Sequence, residues 1–308
     1  MVGSQGQDGR ILRRKLELQG GDVFGVTTPL PGEDEKAKLV GALNQYSPTH
    51  IFNLAGFSSV WQSWASPTRS IISNTLQTAN LLEAVRDTGL EAKILIASSS
   101  EIFDAQTGTV SEMSLEDPTS PYGVSKKAAV DLGRAFRTAQ GLDIRILHLF
   151  NHESPLRTEA FLSQKIAAGV ADIALGLEEK LYLSNIDSQR DWGYAPDYVE
   201  AMILVMGLDQ PDDFVVATDT LTTVTTLLDM AFAAANLGSW QNRVEVAERD
   251  RPVDHLGVKG DYSKLRSATG WAPTMDAKQV MMEMVRYQIA KKTGQTNEEK
   301  WLSEVSAR

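Results

Sequence analysis

A chain of 308 residues with 42% hydrophobic content can bury a substantial core, in one large domain or a large one plus a small one, which excludes a disordered chain. The formal charge of −10 opposes non-specific attraction to nucleic acid or anionic lipid, and no apolar run approaches the roughly 20 residues that span a bilayer. With no cysteine and only four histidines, the chain has no disulfide and no thiolate nucleophile, and no metal site is expected.

The chain opens on Met1 and Val2, followed by Gly3-Ser4-Gln5-Gly6-Gln7-Asp8-Gly9. No apolar signal core precedes the glycines, so a cytoplasmic protein is expected. Gly3, Gly6 and Gly9 stand where a strand would turn into a helix predicted from about Arg10 to Leu18. Without Cβ atoms, such a turn lets backbone N–H groups and a helix N-terminus approach a pyrophosphate closely. The strand before it is far shorter than the usual five or six residues. A second strand is read at Asp22 to Val26. It leads into Thr27 and Thr28, where a dinucleotide-binding fold normally offers an acidic residue to a ribose hydroxyl or an arginine to a ribose phosphate. Between Thr28 and the strand predicted at His50 to Leu54 there is room for one helix, Glu33 to Tyr46. The strand that stands third, at the edge of the order 3-2-1-4-5-6, is therefore expected to be missing.

Ile71, Ile72, Leu76, Ala79, Leu82 and Val85 recur at helical spacing and predict a helix over Ser70 to Arg86 with that face on the sheet. Strands follow at Lys93 to Ala97 and Asp143 to Leu149. Up to about residue 150 this is the alternation of a doubly wound parallel α/β sheet. Beyond Asn151 the pattern loosens into a helix around Ala160 to Leu175, a short strand Lys180 to Leu183 and a helix Asp197 to Leu208. Glu248 to Gly260 reads as a loop reaching over a cleft. Residues 1–150 are expected to form mainly a Rossmann-like dinucleotide-binding domain, and 151–308 mainly a substrate lobe interleaved with the last sheet strands.

Tyr122-Gly123-Val124-Ser125-Lys126 puts a phenol and an ammonium four residues apart, on one face at the start of a helix running toward Gln140. A phenol with a pKa near 10 is a poor base at neutral pH, but a neighbouring Lys⁺ and an oxidised nicotinamide both favour its phenolate. Ser98-Ser99-Ser100-Glu101 follows a predicted strand, and a hydroxyl at the carboxyl end of a parallel strand lies at the cleft, placing Ser99 to bond a reacting oxygen. Each feature alone also has a bland reading: a flexible terminus for the glycines, a surface helix for the tyrosine and lysine, and a solvated polar turn for Ser98 to Glu101.

Together these pieces resemble the extended short-chain dehydrogenases, and more closely the GDP-mannose 4,6-dehydratases. The resemblance spans most of the chain. Its most specific stretches are Gly6 to Gly9, Asn53-Leu54-Ala55, Ser98 to Glu101, Ser120-Pro121-Tyr122, Asn151-His152-Glu153-Ser154-Pro155 and Arg190-Asp191-Trp192-Gly193. It implies a redox-neutral lyase that turns a GDP-sugar into its 4-keto-6-deoxy product with loss of water, using NADP, or NAD in its place. By the same resemblance Tyr122 is the base at the C4 hydroxyl, Lys126 orients the nicotinamide ribose and lowers the tyrosine pKa, and Ser99 occupies a threonine position. Glu101 removes the C5 proton, work that a simple epimerisation does not need. Gly3, Gly6, Gln7, Asp8, Gly9, Leu54, Ala55 and His152 would hold the cofactor, and Ser58, Asn151, Lys165, Arg190 and Arg251 the GDP-sugar.

There are departures as well. The family normally carries paired arginines after the second strand, in a loop that reaches a neighbouring subunit. Thr27 and Thr28 replace them, so a homodimer is expected over a tetramer and NAD stays open. Phe57 and Trp61 are expected to reshape the sugar pocket. A reductase or epimerase of the same fold, and a non-catalytic dinucleotide-binding regulator, are the competing readings.

Overall fold

The computed structural model describes residues 1–27, 33–104, 108–184, 186–246 and 257–307. In chain order the first half carries α1 (Gln7–Leu18), α2 (Glu33–Tyr46), β1 (His50–Asn53), α3 (Val60–Ala65), α4 (Pro67–Ile71), α5 (Gln77–Thr88), β2 (Lys93–Ala97), β3 (Thr109–Val110), α6 (Pro121–Gln140) and β4 (Ile144–Leu149). The second half adds β5 (Asn151–Glu153), α7 (Leu162–Ala174), β6 (Leu181–Leu183), β7 (Gln189–Tyr194), α8 (Ala195–Gly207), β8 (Asp213–Val216) and β9 (Leu221–Thr223). It ends with α9 (Val224–Ala234), β10 (Val244–Val246), β11 (Lys259–Gly260), α10 (Ser263–Thr269), α11 (Ala277–Lys292) and α12 (Glu298–Ser306).

β1, β2, β4 and β8 pair in that order, all parallel, with Ile94 opposite both Ile51 and Ile144. Every residue of β4 is buried, as a parallel sheet covered on both faces requires. α1 and α8 pack together on one face, while α2, α5 and α6 pack in succession on the other. This is the doubly wound α/β sheet expected. α6 lies close on the sheet at Gly133, where a Cβ would come 2.8 Å from Ile96 Cδ1. β8 returns to this sheet from the second half of the chain, and Arg134 and Arg137 of α6 hold its Asp213 at 2.6 and 2.8 Å.

At the β1 edge the expected strands shrink. Val2 forms isolated parallel bridges to Asn53 and to Val26. Its N–H donates to the Phe52 carbonyl at 2.9 Å, and Val26 N–H donates to the Met1 carbonyl at 2.8 Å. The strand read over Asp22 to Val26 is thus reduced to the one bridging residue, because only Met1 and Val2 lie between that segment and β1. Past Met1 an apolar cavity of about 550 Å³ separates them, walled by Leu16, Leu43, Ile203 and Phe24, the last stacked on Tyr46 at 4.0 Å. Between Val26 and β1 the described residues hold α2 and no further strand, as expected.

The helix expected over Ser70 to Arg86 is built differently. α4 and α5 run on through a π turn, Ile72–Leu76, and Ile71 and Leu76 are exposed while Ser70, Asn74, Gln77 and Thr78 are buried. The wider turn shifts the helical phase, so the apolar stripe from Leu81 to Val85 meets the core but its extension toward Ile71 does not. β5, β7 and β9 form a small second sheet, β5 parallel and β9 antiparallel to β7. β6 pairs with β10, and β3 with β11. Of the loop expected over Glu248 to Gly260, residues 248–256 lie outside the described residues. Among the described residues no helix is long and apolar enough to cross a membrane.

Candidate active site

A cleft of about 900 Å³ opens where β1, β2 and β4 end, with Leu54, Ala97 and Leu149 in its wall. Ser99, Glu101, Tyr122 and Lys126 all line it. Ser99 leaves β2 in extended backbone and leads into a short 3-10 turn, Ser100–Ile102, that presents Glu101; the Ser99 Oγ accepts from Glu101 N–H at 3.3 Å. Tyr122 is the second residue of α6. That helix starts where Ser120 Oγ accepts from Gly123 N–H at 3.0 Å and Pro121 fills the first position, the usual N-terminal chemistry. Ser63 Oγ accepts from Tyr122 N–H at 3.2 Å, fixing the start of α6 against α3. One turn on, Lys126 Nζ donates to the Ala97 carbonyl at 2.9 Å.

Burial pushes the Tyr122 phenol up to about 12; Ser99's hydrogen bond lowers it, Glu101 raises it and Arg157 lowers it. Burial also brings Lys126 down to about 8, against the pull of Asp8. The charge of Arg157 also bears on the phenol, and the Lys126 ammonium is held by the Ala97 carbonyl.

The glycine turn lies beside this cleft. Gly3 has φ +85°, and a Cβ there would stand 2.5 Å from the Ala55 amide nitrogen; at Gly9 one would stand 2.8 Å from Ser4 Cα. Gly6 is the N-cap of α1 and brings no side-chain acceptor, so the start of that helix carries no side-chain cap. These residues fit a dinucleotide pyrophosphate. Asp8, Leu54 and His152 reach the cleft wall, and Ala55 packs its backbone against Gly3. Gln7 turns away from it, its amide bonded to the His152 carbonyl at 3.1 Å and to Ser154 Oγ at 2.8 Å.

On the far side Ser58, Asn151 and Arg190 line the same cleft, with Phe57 and Trp61. Lys165 is exposed on α7 and is not part of the wall, because its neighbours Ser163, Gln164 and Ile166 take the buried side of that helix. Arg251 and Thr28 lie outside the described residues. Sequence reading missed two arginines here. Arg157 Nε stands 3.4 Å from Glu153 Oε2, with its guanidinium 3.5 Å from the Phe161 ring centroid, and Arg69 lies 5.1 Å over the Phe57 ring. Arg157 had a signal, since it closes the run Asn-His-Glu-Ser-Pro-Leu-Arg. Arg69 had none. Asn74 was also missed: from the π turn its amide spans Phe57 N–H (2.9 Å), Phe57 carbonyl (3.1 Å) and Ser125 Oγ (2.8 Å), pinning the loop after β1 to α6.

The family model described as GDP-mannose 4,6 dehydratase matches residues 33–284. GDP-mannose 4,6 dehydratase 1 of Arabidopsis thaliana is 40% identical over 248 residues, which cover 79% of this chain and 68% of that protein. GDP-mannose 4,6-dehydratase of Yersinia enterocolitica is 34% identical over 286 residues, 82% of this chain and 76% of that one. Among solved structures, RMD from Pseudomonas aeruginosa complexed with NADPH superposes with a TM-score of 0.80 at 24% identity, covering 94% of this chain and 98% of that chain. The UDP-glucose 4-epimerase of Thermus thermophilus in complex with NAD gives 0.80 at 23% identity, covering 93% and 97%. A family match over most of the chain, on a sheet of this topology, makes the chain a member of the GDP-mannose 4,6-dehydratase family.

Proposed function

We propose that the protein is a nucleotide-sugar 4,6-dehydratase, a hydro-lyase that converts GDP-mannose or a close relative to the 4-keto-6-deoxy sugar. The observation that carries this reading is the meeting of a phenol and a carboxylate in one cleft: Tyr122 and Glu101 both line it, and the charge of Glu101 is felt by the phenol. A reductase or epimerase has no use for that second base.

The glycine turn and Leu54 would hold a nicotinamide dinucleotide, with NADP the first choice and NAD open because Thr27 supplies no cation to a ribose phosphate. When bound, the nicotinamide supplies the redox chemistry, taking hydride from C4 of the sugar and returning it at C6. Tyr122 Oη takes the proton of the C4 hydroxyl, and Ser99 Oγ steadies the same oxygen by hydrogen bonding. A C4 ketone makes the C5 proton acidic. Glu101 removes that proton and delivers it to the departing C6 hydroxyl, which leaves as water; once C6 is reduced, C5 takes back a proton, supplied by the protonated Tyr122 or by solvent. Lys126 bonds the ribose, while Asn151, Arg190 and Arg157 hold the nucleotide diphosphate, the guanidiniums matching its oxygens. Ser58 and Phe57 bound the hexose.

Incubation with GDP-mannose and NADP is expected to yield the dehydrated 4-keto product by mass spectrometry, with no net cofactor consumption. Glu101→Gln is expected to cut kcat by about 10²–10⁴-fold. Unchanged turnover in that variant, or a stereoisomer without loss of water, overturns the dehydratase reading. The same reading assigns the protein to the cytoplasm as a homodimer, supported by the exposed Ile71, Leu76 and Val124 on helices α4 to α6, which pack against one another. Light scattering on the eluted protein tests the dimer.

A further inference from the structure

Two of the most distinctive strings of the sequence, Gly6-Gln7-Asp8-Gly9 and Asn151-His152-Glu153-Ser154, meet under the glycine turn. His152 Nδ1 lies 2.7 Å from the Phe150 carbonyl, and its Nε2 lies 3.0 Å from Asp8 Oδ2. A carbonyl oxygen only accepts, so Nδ1 carries a proton; opposite an ionised Asp8, which also only accepts, Nε2 carries the other. The ring is buried and stacked on Tyr198 at 4.5 Å. The charged groups about it are Asp8 from α1, Arg157 from the loop after β5, Glu153 of β5, which pairs with that arginine, and Lys126 from α6, which feels Asp8. Burial works against the imidazolium, yet Asp8, by charge and by hydrogen bond, holds the His152 pKa above its usual value despite Arg157. Asp8 is correspondingly held below the carboxylate range: burial opposes this, and the His152 charge outweighs it.

The consequence concerns the field at the turn. Asp8 is the second residue of α1, and an unpaired carboxylate there would offset the positive helix end that a pyrophosphate uses. We propose that Asp8 and His152 form a buried carboxylate–imidazolium pair that restores a positive field at the glycine turn, making His152 a positioning residue for an anionic dinucleotide. This rests on the dinucleotide reading given above.

Calorimetric titration of the intact protein with NADP and NAD, across pH, tests it in four forms: wild type, His152→Gln, Asp8→Asn and the double variant. His152→Gln is expected to weaken binding by about tenfold or more, and adding Asp8→Asn to bring affinity back to within about threefold of wild type. Wild-type affinity is expected to fall as pH rises through the raised histidine pKa, and the double variant to lose that dependence. Equal weakening in the single and double variants, or wild-type affinity in His152→Gln, overturns the proposal. Should His152→Gln fail to fold, imidazole nitrogen NMR of the wild type across pH decides: a His152 ring that titrates at or below the ordinary histidine value overturns the pair. Wild-type protein that binds neither dinucleotide overturns the cofactor reading itself.

Discussion

Tyr122 shows how a single group depends on its surroundings. With its phenol near 12, it is protonated throughout the neutral range, and each neighbouring charge decides how far it stands from usefulness. Arg157 is one charge that favours the phenolate, so Arg157→Met is expected to move the ascending limb of the kcat/KM against pH profile upward, with Arg157→Lys close to wild type. A profile unmoved by the methionine variant would show that the phenol is tuned from elsewhere. Gly3 is the clearest backbone case, with a positive φ and the Ala55 amide 2.5 Å from where a Cβ would stand. Gly3→Ala is expected to cost about 2–4 kcal/mol in denaturant unfolding, because neither the strain nor the contact can relax without shifting the strand end.

Among the elements, the β1 edge and the α4–α5 turn differ most from what the pattern suggested. Met1 and Val2 donate to the Phe24 and Phe52 carbonyls, and both phenylalanines line the apolar cavity. An extended apolar segment of about four residues joined ahead of Met1 would continue that pairing and fill the space between Leu16 and Leu43. Such a fusion is expected to raise the melting temperature by about 5 °C, and a Gly-Ser-Glu-Ser fusion to leave it unchanged. Equal melting temperatures would show that the cavity does not accept a strand. In α4–α5 the polar residues turn inward because Asn74 and Ser70 meet Ser125 of α6. A hydrophobic-spacing argument has no term for that.

The whole molecule is held at β4, the strand covered on both faces. His148 sits there, fully buried, and burial takes its pKa down to about 4. The folded protein therefore binds this proton less readily than the unfolded chain, so the contribution is fully present above the ordinary histidine value and is lost as pH falls from about 6.5 to about 4. That difference is about 3 kcal/mol. Acid titration of the melting temperature is expected to show the loss in that window, and His148→Leu to flatten it. A variant that keeps the full slope would assign the acid sensitivity to the carboxylates, Asp213 with Arg134 and Arg137 foremost.

Much of this was written in local chemistry. The short runs at Lys93 to Ala97 and Asp143 to Leu149, alternating with helix-length segments, were enough to indicate the parallel sheet, and the length between Thr28 and His50 indicated the omitted strand. Tyr122 and Lys126, four apart on one helix, were bound to share a face. Tertiary structure decided what spacing cannot express. It brought the charge of Arg157, from another segment, to bear on the phenol and set Lys126 against a β2 carbonyl. It also joined Asp8 to His152 across 144 residues, because only the folded sheet lays the glycine turn against β5.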